Sequence, residues 1–446
     1  MGLPRTRKQV AGMKCKDYPM NGYADKKEIF ADARKYWNPD KTDFWIDDGV
    51  PLVIGKREGY VFEDIEGKQL IDMHLNGGTF NLGHRNPEIV ETLVDALDRV
   101  DIGNHHFATS GRSRLAHELV DTVPGGTMDK VVFGSSGGEA VDVAIKSARY
   151  ATGKKKIVSI EKAYHGHTGL SIATGDERFM KLFNCGRPGE FVHVPFNDAE
   201  AMERALAGND VAAVIMETIP ATYGFPIPAP GYLRQVKSIC EEHGALYIAD
   251  EVQTGLGRTV DFWCFEHHGI VPDILVTSKG LSGGVYPISA CILNKAAGGW
   301  LHEDGFAHMA TFGGAELGCQ VALKVLEITR RPATVEHVKK LDAYYTEQFA
   351  RLYDAHPSLV EVRHDGTIAG LKVSGGKDPA VAFSKLLYDR GVWAIFSTLD
   401  KSVLQFKSGL LLPISQAEEA ISAIDDALRV LDERIADGKE GEPWVA

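Results

Sequence analysis

The chain has 446 residues, 44% of them hydrophobic and 25% charged, a mix that fits a soluble globular protein of about two to four domains and excludes a disordered, collagen-like or fibrous chain. Lys and Arg number 49 against 61 Asp and Glu, a formal net charge of −12, which argues against a general nucleic-acid binder because neutralising phosphates takes a basic face. No apolar run of about 18 residues occurs, so no membrane-spanning helix is expected.

The N-terminal stretch Met1 to Lys16 carries Arg5, Arg7, Lys8, Lys14 and Lys16. It lacks the apolar core of a secretory signal and reads as a basic arm. Leu52-Val53-Ile54, Tyr60-Val61-Phe62 and Leu70-Ile71 read as a β-meander, with a turn at Glu66-Gly67-Lys68. From Pro87 to Val100 the apolar residues Ile89, Val90, Leu93, Val94 and Leu97 have helical spacing, with Asn86 as cap and Pro87 in the first turn.

Between about residues 110 and 300, short apolar runs alternate with helical stretches. The runs are 131–133, 157–158, 192–194, 211–216, 246–249 and 274–276. They lack polar alternation, as strands covered on both faces do, and so predict a largely parallel sheet between helices. After Glu316, helices are expected at 316–329, 335–354, 378–390 and 416–435. Short strands fall between them near 359–363, 369–373 and 403–407. The fold class is α/β. We divide the chain into an N-terminal segment 1–80, a large domain 81–325 and a C-terminal part 326–446, with the two ends building a smaller α+β domain. The six cysteines are scattered without a CxxC pair. They point to reduced, buried thiols in a cytoplasmic protein rather than to a disulfide framework or a zinc site.

Four features carry chemistry. Gly134-Ser135-Ser136-Gly137-Gly138-Glu139 joins a strand to a helix. Its glycines let an anion approach the free N–H groups at the helix start. It also fits the G-x-S-x-G elbow of a serine hydrolase, or a turn with no ligand. Leu246-Tyr247-Ile248-Ala249-Asp250-Glu251 ends an apolar strand in two acids, where α/β sheets bind ligands. Thr277-Ser278-Lys279-Gly280 ends another strand in one lysine, either a surface charge or an amine that forms an imine with a carbonyl. Ala163-Tyr164-His165-Gly166-His167 offers an aromatic plate. Metal binding by His165 and His167 has no acid or cysteine to complete it, so no metal is expected. Phosphate cradle, aromatic, acid and lysine together are what pyridoxal phosphate (PLP) requires.

The sequence resembles the class III aminotransferases, PLP enzymes of fold type I, from about Tyr60 to Leu431. The motifs are Leu82-Gly83-His84-Arg85-Asn86-Pro87, Ser136-Gly137-Gly138-Glu139-Ala140, Tyr164-His165-Gly166, Pro230-Gly231-Tyr232-Leu233, Asp250 through Arg258, Ser278-Lys279 and Thr311-Phe312-Gly313-Gly314. The resemblance implies a large domain around a mostly parallel seven-stranded sheet. It makes Lys279 the imine-forming and proton-shuttling lysine, Asp250 the partner of the pyridinium nitrogen and Tyr164 the stacking aromatic. Ser136, Gly137 and Gly138 become the phosphate cradle, and Gln253 with Glu217 reaches the ring's 3-oxygen. Thr311 would bind the phosphate of the neighbouring subunit's cofactor, which implies a homodimer with shared active sites.

Two departures bear on substrate. Many relatives that use glutamate or 2-oxoglutarate grip the α-carboxylate with an Arg in a pattern like R-F-x-P-P-L; here Gln405 stands in its place. The Glu that pairs with that Arg in some ω-amine members is replaced by Thr222. Loss of the charged grip shifts the expected partners toward an amine, amino alcohol, polyamine or ω-amino donor, with pyruvate favoured over 2-oxoglutarate as acceptor. Gly77 and Gly78, where several relatives place a bulky aromatic, suggest room for a larger substrate or simply a tight turn. An aminomutase, racemase, decarboxylase or amine lyase on the same cofactor site, a serine hydrolase using Ser136, and a non-catalytic binding protein are the alternatives.

Overall fold

A computed structural model describes residues 20–439; the expected basic arm lies outside the described residues. The central sheet has seven strands: β4 (Met128–Gly134), β5 (Lys156–Ile160), β6 (Phe191–Val194), β7 (Val211–Glu217), β8 (Leu246–Asp250), β9 (Ile274–Thr277) and β10 (Ser289–Asn294), in the order β4-β10-β9-β8-β7-β5-β6. Six coincide with the predicted apolar runs. The seventh, β10, was not among them and is antiparallel to both neighbours.

Alternation along each strand explains why these runs are apolar throughout. Ile248, Ile274 and Val276 pack under the helix Gly137–Thr152, against Val141, Ala144 and Ile145. Tyr247, Ala249 and Leu275 face the opposite layer, against Leu233, Val236 and Cys240 of the helix Tyr232–Glu242. Burying both faces removes every position where a polar residue could meet water.

Two four-stranded sheets flank this layer. The first joins β1 (Ile54–Glu58), β2 (Val61–Asp64) and β3 (Gln69–Asp72) to β13 (Val392–Trp393), so both chain ends share a sheet. The second orders β11 (Leu359–Asp365), β12 (Ile368–Val373), β15 (Val403–Lys407) and β14 (Ile395–Phe396) as β11-β12-β15-β14. Helices Pro332–Ala355, Pro379–Asp389 and Ile414–Ala436 cover it through Tyr345, Phe383 and Ile424. The helix Pro87–Leu97 begins as expected, Asn86 Oδ1 accepting from the N–H groups of Glu88 and Ile89 at 3.1 and 3.4 Å. The five described cysteines are unpaired, four of them buried. Among the described residues no helix is long and apolar enough to cross a membrane.

Candidate active site

Six strands of the central sheet run parallel, so their C-terminal ends lie on one edge. Glu217 and Asp250 are register partners at the ends of β7 and β8, and Asp250 pairs with Val276 of β9, three residues before Lys279. Strand register alone therefore brings two acids and an amine together. A cavity of about 650 Å³ opens there. Ser136, Gly137, Gly138 and Tyr164 line one side, and Glu217, Asp250, Gln253 and Lys279 line the rest.

Ser136 caps the helix Gly137–Thr152, its Oγ accepting from Glu139 N at 3.3 Å. Glu139 reaches back to Ser135 N and Oγ at 2.7 and 2.9 Å. The amides of Gly137 and Gly138 open the helix and have no carbonyl a turn earlier to bond, which leaves the positive end of the helix facing the cavity. No histidine bonds to Ser136 among the described residues, so the hydroxyl is a cap and not the nucleophile of a triad.

Asp250 and Glu217 are each 4% exposed. Asp250 Oδ2 lies 2.7 Å from His165 Nδ1, and its Oδ1 accepts from Val252 N at 3.1 Å. Glu217 accepts from the N–H groups of Tyr164 and Ala221 at 3.3 and 3.2 Å. Burial, with Asp250 beside it, pushes the Glu217 carboxyl up to about 7. Burial lowers Lys279 from the ordinary lysine range, against the opposing pull of Asp250 and Glu217, and Arg258 lowers it further. Both shifts make proton exchange near neutrality cheaper than free side chains allow. Lys279 itself has φ 39°, a left-handed conformation that costs a lysine about 1–3 kcal/mol and persists where the surroundings enforce it. Ser282 Oγ donates to Lys279 O at 2.7 Å and closes the turn.

The substrate-side residues sit elsewhere. Gly77 lies against the lysine: a Cβ there would be 3.0 Å from Lys279 Cε. Gln405 is buried on β15 and Thr222 sits in the loop after β7; neither lines the cavity. Thr311 is exposed in the loop that precedes the helix Glu316–Thr329.

Three residues take places that the sequence reading did not give them. His165 orients Asp250. Lys407, on the same face of β15 as Gln405, is 1% exposed, donates from Nζ to Gln405 Oε1 and lies 5.2 Å from the Phe225 ring centroid. Arg258, also 1% exposed, donates from Nη2 to Gly78 O at 2.9 Å, while Nε and Nη1 have no partner. Among the described residues, neither cation has a carboxylate within ion-pair distance. Adjacency of His165 to Tyr164 was the one available signal.

A pyridine aldehyde phosphate fits these groups. The helix start offers amides for a phosphate, Asp250 offers a carboxylate for a ring nitrogen, and Lys279 an amine for the aldehyde. Gln253 Oε1 is buried without a partner, 3.6 Å from where a Gly77 Cβ would stand.

Residues 46–428 match the family described as aminotransferase class-III. An "uncharacterized aminotransferase" of Archaeoglobus fulgidus is 46% identical over 414 residues, covering 93% of this chain and 96% of the relative. An acetylornithine aminotransferase of Methanosarcina acetivorans is 34% identical, covering 84% and 92%. Among solved structures, the ornithine aminotransferase of Toxoplasma gondii superposes with a TM-score of 0.84 at 25% identity, covering 93% and 97%. The taurine:2-oxoglutarate aminotransferase of Bifidobacterium kashiwanohense, solved with PLP and glutamate, does so with 0.83 at 25%, covering 92% and 99%. With the family matched along most of its length and a site that suits the cofactor, this chain belongs to the class III aminotransferases, PLP-dependent enzymes of fold type I.

Proposed function

We propose that the chain moves an amino group from an amine, amino alcohol, polyamine or ω-amino compound to a short 2-oxo acid, pyruvate before 2-oxoglutarate. The convergence of Lys279, Asp250, Glu217 and Gln253 on one cavity supports this reading above all. When bound, PLP supplies an aldehyde that takes up the amine and a ring that accepts the electron pair left as the Cα proton departs. Lys279 Nζ holds the aldehyde and carries that proton. Asp250, fixed by His165, keeps the ring nitrogen protonated. Gly137 and Gly138 hold the phosphate on helix amides with Ser136, Tyr164 covers the ring face, and Gln253 with Glu217 sets the 3-oxygen.

Gln405 and Thr222 carry no charge, and the cavity lining contains no arginine and no ammonium besides Lys279. A second carboxylate on the acceptor would be desolvated without a cation, which costs several kcal/mol in a dry site. We assign the acceptor's single carboxylate to Lys407, the buried ammonium bonded to Gln405. A cytoplasmic homodimer completes the proposal: Phe306, Met309 and Phe312 are 57–67% exposed around Thr311, the kind of apolar patch that a second copy covers.

Purified holoenzyme mixed with a panel of amines, crossed with pyruvate and 2-oxoglutarate, tests the reading. Conversion to the pyridoxamine form by amine alone, reversed by pyruvate at lower concentration than by 2-oxoglutarate, is expected. Catalytic product release from amine without acceptor would instead identify a lyase, decarboxylase, racemase or mutase.

A further inference from the structure

Away from the cavity, three potential metal ligands, with a carboxylate beside one of them, meet where the loop after β8 touches the β11–β12 hairpin. Cys264, His267 and His268 belong to one short turn, Cys264–His268. Their ligand atoms all lie within 4.8 Å of one another. Cys264 is fully buried, its Sγ 3.9 Å from His267 Nε2. Asp365, the last residue of β11, brings Oδ2 to 3.2 Å from that same nitrogen. The two histidine rings lie 4.5 Å apart between centroids.

The separations have a chemical meaning. A tetrahedral zinc-class ion with bonds of about 2.0–2.3 Å sets its ligand atoms roughly 3.3–3.8 Å apart. The two separations from His267 Nε2, 3.2 Å to Asp365 and 3.9 Å to Cys264, bracket that range. One thiol, two imidazoles and a carboxylate form a set that suits Zn²⁺ over Mg²⁺ or Ca²⁺, which prefer oxygen alone. The protein's own bonds leave the cluster incomplete. His268 Nε2 is buried without a hydrogen-bond partner. A buried imidazole nitrogen without a partner is costly unless something binds it. His267 Nδ1 is held at 3.2 Å by Asp261 Oδ2, the outer carboxylate that metal-bound histidines commonly keep.

We propose that Cys264, His267, His268 and Asp365 bind one divalent ion of the zinc class, which ties the β11–β12 hairpin to the loop that carries Arg258. The hairpin tip already presses on that loop: Thr367 N and Oγ1 donate to Arg258 O at 2.8 and 3.0 Å, and a Cβ on Gly366 would stand 2.4 Å from the same oxygen. The ion is a clip between two sheets beside the active site and takes no part in amino transfer. Binding releases the Cys264 thiol proton to solvent and involves no redox change.

Full-length holoenzyme stripped with a chelator and then titrated with Zn²⁺ or Co²⁺ tests this. One Zn²⁺ per chain is expected to survive gel filtration, and to raise the melting temperature progressively with the logarithm of free Zn²⁺. Co²⁺ is expected to give tetrahedral d–d bands in the red, clear of cofactor absorption. Cys264→Ser and His268→Phe should each weaken Zn²⁺ binding at least about tenfold, while keeping transamination of the stripped enzyme at the wild-type rate. Should Cys264→Ser fail to fold, His268→Phe, at a partly exposed ring, carries the test alone. Zn²⁺ bound equally by wild type and His268→Phe, octahedral Co²⁺ bands, or no stoichiometric metal would each overturn the proposal.

Discussion

His165 Nδ1 sits 2.7 Å from Asp250 Oδ2, and both side chains are closed off from solvent. The Asp250 carboxylate calls for an N–H at His165 Nδ1, and Nε2 then faces Ser159 Oγ on β5, 3.4 Å away, a hydroxyl that can donate to it. His165→Phe removes a charge-assisted hydrogen bond worth about 1.5–3 kcal/mol, which translates to a loss of about 10- to 100-fold in kcat/KM. His165→Asn, whose amide N–H can stand near Nδ1, should recover part of it. Rates for His165→Phe within twofold of wild type would remove the positioning role.

Adjacent glycines make a sharper contrast. Gly77 and Gly78 have φ 70° and 90°, left-handed values that cost other residues about 1–2 kcal/mol. A Cβ on Gly78 would fall 1.5 Å from Arg258 Nη1, inside a buried guanidinium with no room to withdraw. On Gly77 it would approach Lys279 Cε at 3.0 Å, a contact the lysine can relieve by a small shift. Gly78→Ala is therefore expected to cost about 2–4 kcal/mol in denaturant unfolding. Gly77→Ala should cost about 1–2 kcal/mol there, and its larger effect should appear in kcat. Equal stability losses would mean that Arg258 yields more than its burial allows.

The strands that carry the site were legible because covered parallel strands have nowhere to put polar residues. Asp250 and Lys279 could accordingly be placed at strand ends from the runs 246–249 and 274–276, while Glu217 came from the family resemblance. The strand β10 left the same kind of trace, Ala290-Cys291-Ile292-Leu293, but it follows the glycines at 283 and 284 and passes for loop. The helix Pro39–Asp47 repeats the Asn-Pro start seen at 86–87, with Asn38 Oδ1 accepting from Lys41 N at 3.0 Å, so its signal was present and unread. The burial of Lys407 had no signal. A lysine alternating with Phe406 on a short strand reads as solvated, and tertiary packing, with the Phe225 ring 5.2 Å from its Nζ, buries it.

Buried Lys407 then yields a kinetic prediction. Burial and the nearby Arg258 and Lys279 charges hold its pKa well below the ordinary lysine value, so an incoming carboxylate restores a charge that the empty site disfavours. Lys407→Met should raise KM for pyruvate at least about tenfold, leave kcat within a few-fold, and spare the half-reaction of an amine without a carboxylate. Uniform losses in both half-reactions would assign Lys407 to packing instead.

Glu251 provides a test of stability against pH. It is 1% exposed and accepts from Thr218 Oγ1, Thr254 Oγ1, Cys264 N and Phe265 N. Burial outweighs these four donors and pushes the carboxyl up to about 7. A folded-state value above the unfolded one means that its contribution is fully present below about pH 4.5 and is lost as pH rises through 7. A shift from the model-peptide range to about 7 amounts to roughly 3 kcal/mol across that window. Glu251→Gln removes the titration. Its amide can turn the hydroxyl of Thr218 or Thr254 into an acceptor but must oppose one backbone N–H, so the variant should start about 1–3 kcal/mol less stable at pH 5. Between pH 5 and 8 the gap should narrow as the wild type pays for ionising a buried carboxyl and the variant does not. Denaturant unfolding at fixed cofactor saturation reads both curves, and parallel curves would show that Glu251 is ionised throughout and held by its four donors.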